Sequence, residues 1–81
     1  MKILFFGRLR EMLNCSELEI HDIEIQTLAQ LRRLLAERGE KWQEFLLKDN
    51  ALAAINQAMA LETDTVTASD EVAFFPPVTG G

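Results

Sequence analysis

The sequence predicts an α+β fold with one main helix packed on one face of a mixed sheet. Three observations predict it. Both ends carry near-continuous apolar runs, Lys2 to Phe6 and Glu71 to Phe75, as central strands do. One well-capped amphipathic helix lies between them, starting after Thr27. The remaining apolar runs are short, strand-like and separated by polar turn residues. With 81 residues there is room for one domain.

Taken in order, Lys2 to Phe6 is the first strand, and Gly7 ends it. Arg8 to Leu13 has the length of a short helical turn. Leu18 and Ile20 alternate with Glu17, Glu19 and His21, the pattern of a half-buried strand. Ile23 and Ile25 fall in the opposite phase, which places a bend near His21-Asp22. Thr27 and Gln30 form a capping box. Leu28, Leu31, Leu34 and Leu35 then share one face, with Arg32, Arg33 and Glu37 elsewhere, and Gly39 is the expected stop after Arg38. Trp42, Phe45 and Leu46 suggest a second short helix. Ala51 to Asn56 is a strand, Asn56-Gln57 a turn, and Met59 to Leu61 its short partner. Glu62 to Asp70 is polar loop anchored by Val66, and Glu71 to Phe75 is the last strand before Pro76-Pro77. In one arrangement of this order the first and last strands lie parallel at the sheet centre. That is the β-grasp, or ubiquitin-like, arrangement, with a domain over residues 1–75 and a flexible tail over 76–81.

Side chains alternate along strands. If Ile3, Phe5, Val72 and Phe74 face the helix, then Leu4, Phe6, Ala73 and Phe75 face away. One helical layer leaves that outer face uncovered, so Phe6 and Phe75 would share an apolar patch, with Met59 beside them. A loop of the chain is the alternative cover.

The formal net charge is −5, a poor match for nucleic acid or anionic membrane and a better one for a basic groove on a protein. One cysteine, Cys15, allows neither an internal disulfide nor a cysteine-based zinc site. The N-terminal apolar run is too short for a signal peptide, and no stretch is long enough to span a membrane, so a cytoplasmic setting is expected. No metal site is expected. The isolated Gly7 and Gly39 make no phosphate loop. His21 and Asp22 are adjacent on a strand and point apart. Glu17 and Glu19 read as the solvated side of a strand, and Asp70-Glu71 as a polar turn. The chain therefore lacks the constellation of an ordinary small-molecule enzyme.

The tail is Pro76-Pro77-Val78-Thr79-Gly80-Gly81. Proline ends sheet pairing and favours an extended exit. Six extended residues reach about 20 Å, enough to enter a partner's cleft. Gly80 and Gly81 carry no side chain, so a narrow channel admits them.

The run from Asp70 through Phe74-Phe75-Pro76-Pro77-Val78-Thr79 to Gly81 resembles the end of the small subunits of molybdopterin synthase. So do the Ile3-Leu4-Phe5-Phe6 start, the Thr27-capped helix and Leu52-Ala53-Ala54-Ile55-Asn56-Gln57. Asn14 to Gln26 departs most, which leaves the register of the second strand open. The resemblance implies a sulfur carrier. An activating enzyme would adenylate Gly81 with ATP, and a sulfurtransferase system would make the thiocarboxylate. The tail, Pro76 to Gly81, would enter the large subunit of a heterotetramer and deliver sulfur to cyclic pyranopterin monophosphate, giving the dithiolene of molybdopterin. Phe6, Met59 and Phe75 map to the partner-facing positions, and the chain itself would bind no cofactor. The alternatives are a sulfur carrier for thiamin or another thiolated product, a ubiquitin-like protein modifier, and a purely structural subunit.

Overall fold

In the computed structural model, residues 1–21, 24–47 and 50–77 are described. The elements are β1 (Lys2–Phe5), α1 (Gly7–Leu13), β2 (Glu17–Glu19), α2 (Leu28–Ala36), α3 (Glu40–Leu46), β3 (Leu52–Ile55), β4 (Ala58–Met59) and β5 (Glu71–Phe75). The strands form one sheet in the order β2-β1-β5-β3-β4. β1 and β5 are parallel neighbours at its centre, and the other pairs are antiparallel. This is the expected β-grasp plan, with the two terminal apolar runs side by side.

Ile3, Phe5, Val72 and Phe74 are fully or almost fully buried, with Leu28, Leu31 and Leu35 of α2 and Leu46 of α3. The Phe5 ring stacks on Phe74 at 5.9 Å and meets Trp42 edge-on at 5.4 Å. Such pairs add to what area burial alone contributes. Leu9 and Leu13 of α1 and Val66 of the long loop complete the core. The register of β2 is settled by Lys2 opposite Glu19, Ile3 opposite Leu18 and Leu4 opposite Glu17. Leu18, Ile20 and Ile25 all pack against the core. The bend placed at His21-Asp22 falls largely outside the described residues, as does Ile23.

Both halves of the capping box form. The Gln30 N–H donates to Thr27 Oγ1 at 3.3 Å, and Gln30 Oε1 accepts the Thr27 N–H at 3.2 Å. The far end of α2 differs from expectation. It stops at Ala36, and Gly39 stands at the N-cap of α3 instead of closing α2. The reason is local: the N–H groups of Glu37 and Arg38 donate to the carbonyls of Leu34 and Leu35. These i to i−3 bonds tighten the last turn and satisfy its carbonyls without a glycine cap. Leu34, placed on the core face, is half-buried, whereas Arg32, placed off it, is only 8% exposed.

The β3–β4 turn is at Asn56-Gln57, as expected, and both residues take positive φ, 51° and 71°. That is the sense of a type I′ turn, whose twist matches the strands it joins. Asn56 also ties the turn to β5. Its side chain donates to Asp70 Oδ1 at 2.9 Å and accepts the Glu71 N–H at 3.0 Å. Asp70 Oδ2 accepts the Thr67 N–H at 2.8 Å. The Asn56 bond, and then the Thr67 N–H, hold the Asp70 carboxyl below its ordinary range. A carboxylate with a depressed folded-state pKa stabilises above the ordinary range, and loses that effect as pH falls through the folded value. Wild type should therefore exceed Asp70→Asn in denaturant midpoint at neutral pH, with the gap closing below about pH 4. A gap independent of pH would refute the charge-assisted role of Asp70.

Candidate functional site

The burial pattern of the sheet separates two faces. β1 alternates from exposed Lys2 and half-buried Leu4 to buried Ile3 and Phe5. β5 alternates half-buried Glu71, Ala73 and Phe75 with buried Val72 and Phe74. The buried set faces the helices, and the other set forms the outer face.

Cross-strand partners lie on the same face. The registers therefore resolve the outer face into rows that cross the sheet. The middle row runs Glu17, Leu4, Ala73, Ala54, Met59. On the side away from the tail lie Glu19, Lys2 and Glu71. On the tail side Phe75 lies opposite Leu52. Phe6 extends that row, because its backbone is extended and its N–H donates to the Phe74 carbonyl at 3.0 Å, continuing the β1–β5 ladder.

Phe6 is 48% exposed and Met59 66%, and Phe75 is half-buried between β1 and β3. The three residues read from the sequence thus share one face, and no loop among the described residues covers Phe6 or Met59. The sequence reading missed Leu52 and Ala54 on that face. Their strand, Leu52-Ala53-Ala54-Ile55, shows no polar alternation. Only the pairing of Leu52 with Phe75 and of Ala54 with Ala73 assigns them.

The root of the tail is tied to the same corner. Pro76 is half-buried and Pro77 exposed. Gly7 has φ +58°, and a Cβ placed on it would stand 3.3 Å from Pro76 Cγ. The absent side chain and the left-handed backbone together let the proline ring lie close to the β1–α1 junction. Both prolines border a shallow groove with Arg8, Leu9, Phe45, Glu44 and Asn50. Val78, Thr79, Gly80 and Gly81 lie outside the described residues.

The remaining polar candidates stay apart from this corner. Cys15 is half-buried, and its Sγ donates to the Glu17 carbonyl at 3.4 Å. His21 is exposed. Glu17 and Glu19 do share a face, with Lys2 Nζ 3.8 Å from Glu17 Oε2. Among the described residues no group of three His, Cys, Asp or Glu side chains could hold a metal ion. No helix among them is long and apolar enough to cross a membrane. What this corner can do chemically is present an apolar surface and a chain end to another molecule.

A charge placed at Phe75 tests the surface. Phe75→Asp should lower the affinity of a protein that docks on this face by at least about tenfold, since an unpaired carboxylate in an apolar contact is strongly disfavoured. The cost to folding should be smaller, because Phe75 faces outward. Titration calorimetry together with a melting curve separates the two, and unchanged affinity would refute the face as a contact surface.

A model of the ThiS family matches residues 3–81. A molybdopterin synthase sulfur carrier subunit of Haemophilus influenzae is 40% identical over 81 residues, covering all of this chain and 99% of that protein. Among solved structures, SAMP1 of Haloferax volcanii superposes with a TM-score of 0.83 at 23% identity, covering 100% of this chain and 98% of that one. That likeness speaks to the fold. A protein–protein complex of subunits 1 and 2 of the molybdopterin-converting factor of Helicobacter pylori contains a chain with TM-score 0.68 and 25% identity. The match covers 99% of this chain and 96% of that one.

Proposed function

The chain belongs to the ThiS family, and on that premise we propose that it is the sulfur carrier subunit of a molybdopterin synthase, with the carboxylate of Gly81 as its working group. The observation that carries this reading is the run from Phe74 to Gly81. It begins on a central strand, leaves beside an exposed apolar face, and ends in two residues without side chains.

A free carboxylate is a poor electrophile. In the proposed cycle the Gly81 carboxylate attacks the α-phosphorus of ATP on an activating enzyme, releasing pyrophosphate and leaving an acyl adenylate. A sulfur donor then displaces AMP to give the thiocarboxylate. The tail, Pro76 to Gly81, enters the large subunit, where the thiocarboxylate sulfur bonds to a carbon of cyclic pyranopterin monophosphate in place of an oxygen substituent. Water then cleaves the resulting thioester, leaving sulfur on the substrate and the Gly81 carboxylate restored. Two deliveries supply the two sulfurs of the dithiolene. This chain's part is to dock and to hold its end in the cleft, and Phe6, Met59 and Phe75 provide the docking surface. The complex of subunits 1 and 2 in Helicobacter pylori supports a large-subunit partner. Assembly as a heterotetramer, a cytoplasmic setting and the absence of a cofactor on the carrier belong to the same proposal.

High-resolution mass spectrometry of the C-terminal peptide tests it, after incubation with the activating enzyme, ATP and a sulfur donor. Intact mass is insufficient, because oxidation of any of the three methionines gives nearly the same nominal shift as exchanging oxygen for sulfur. Sulfur located on Gly81 is the expected result. An unmodified Gly81, with an activating enzyme that works on another carrier, would overturn the proposal. Amide-linked conjugates to target lysines would point instead to a modifier.

A further inference from the structure

The outer face is polarised along its strands. At the end away from the tail, Lys2 stands between two carboxylates, Glu19 opposite it on β2 and Glu71 opposite it on β5, and a third, Glu17 of the middle row, reaches to 3.8 Å from its ammonium. At the tail end, Phe6 and Phe75 carry no charge. We propose that the acidic end is an orientation key for the protein that docks on this face. The partner it fits has an apolar socket at the mouth of its tail-binding cleft and Arg or Lys side chains roughly 13 Å away, four strand residues back from the Phe75 position. The inference rests on the reading of the chain as a carrier that docks on the large subunit.

Apolar contact is non-directional, so an apolar face alone can be met in more than one rotation. Only one rotation delivers the tail, because β5 runs from Glu71 at the acidic end to Phe75 at the tail. Turning the partner end for end would bury carboxylates in an apolar socket, which is strongly disfavoured without a paired cation. Exposed charges add little affinity but steer encounter and reject wrong orientations. A competing explanation covers part of the pattern: β2 is an edge strand, and charges on an edge discourage unwanted strand pairing. That explanation does not extend to Glu71, whose strand lies at the sheet centre.

The test compares two triple variants that move the net charge of −5 by the same three units. One is Glu17→Gln, Glu19→Gln and Glu71→Gln on the carboxylates around Lys2. The other is Glu11→Gln, Glu37→Gln and Glu40→Gln, all exposed and off the sheet. Association with the large subunit is followed by stopped flow from low to high salt, with melting curves to verify folding. The sheet variant should associate about tenfold more slowly at low salt, with a flatter salt dependence, and the helix variant within about twofold of wild type. Equal slowing in both variants would reduce the effect to bulk charge and overturn the inference, as would no slowing in either. In both cases the carrier reading stands if Gly81 still acquires sulfur. Failure of wild type to bind the large subunit would overturn the docking partner and the key together.

Discussion

Deleting Gly81, or adding one residue after it, should all but abolish sulfur delivery and leave the melting curve in place. In the proposed cycle the reacting group is the carboxylate at the chain end, and the domain contributes no reacting group of its own. On that reading its position in the partner's cleft is set by the number of residues that separate it from the docked face. One residue moves the end by about 3.5 Å. A misplacement of about 1 Å can cost roughly a hundredfold in rate, so a whole residue should reduce delivery by a factor of about 1,000 or more. Folding should not register the change, because the sheet ends at Phe75 and the core lies behind it. The expected shift in melting temperature is under about 2 °C, since chain ends outside the packed core contribute little. Single-turnover transfer, measured beside thermal unfolding, checks both halves. Normal transfer by either variant, with unaltered melting, would refute the assignment of Gly81.

Much of this was legible from residue pattern because the relevant elements obey local rules. Thr27 and Gln30 satisfy each other's backbone within one turn, so the start of α2 needs no tertiary information. Strand parity placed Phe6 and Phe75 on the outer face, because Ile3, Phe5, Val72 and Phe74 leave only one way to bury the sheet. Three features were not legible, each for a stated reason. The register of β2 depends on which residue of a three-residue strand meets Ile3, and that is decided by pairing. Leu52 and Ala54 lie in an all-apolar strand whose sequence does not distinguish its two faces. Arg32 looked like a surface residue of an amphipathic helix, yet its partners lie 14, 19 and 30 positions away.

Arg32 is accordingly where the largest loss of stability is expected. Its Nε and Nη2 donate to the two carboxylate oxygens of Glu62, both at 2.8 Å. Its Nη1 donates to the carbonyls of Leu46 at 2.7 Å and Ala51 at 2.9 Å, and the guanidinium lies 5.3 Å from the centre of the Phe74 ring. One side chain thus ties α2 to the end of α3, the residue before β3, and the loop after β4. The planar fork is what permits it; an ammonium presents a point charge with three donors and cannot reproduce two parallel bonds to a carboxylate and two more to carbonyls at once. Arg32→Met keeps much of the apolar stem but leaves two buried carbonyls without a donor. At about 1–3 kcal/mol for each buried unsatisfied group, and with the ion pair lost, the cost should be about 3–5 kcal/mol.

A domain of this size has about 5–10 kcal/mol in total, so the melting temperature should fall by roughly 15–30 °C. Glu62 is partly open to solvent and can hydrate when unpaired. Glu62→Gln should therefore cost much less than Arg32→Met, and Arg32→Lys should fall between them. The ordering distinguishes a carbonyl clamp from a simple ion pair. Equal losses for Arg32→Met and Glu62→Gln would assign the energy to the pair, and a fall under about 5 °C for Arg32→Met would refute the clamp. The consequence reaches the outer face of the sheet, because the Ala51 carbonyl held by Arg32 directly precedes Leu52. A partly loosened clamp should weaken partner binding before it unfolds the domain, and Arg32→Lys at a temperature well below its own melting point is the variant that can show it.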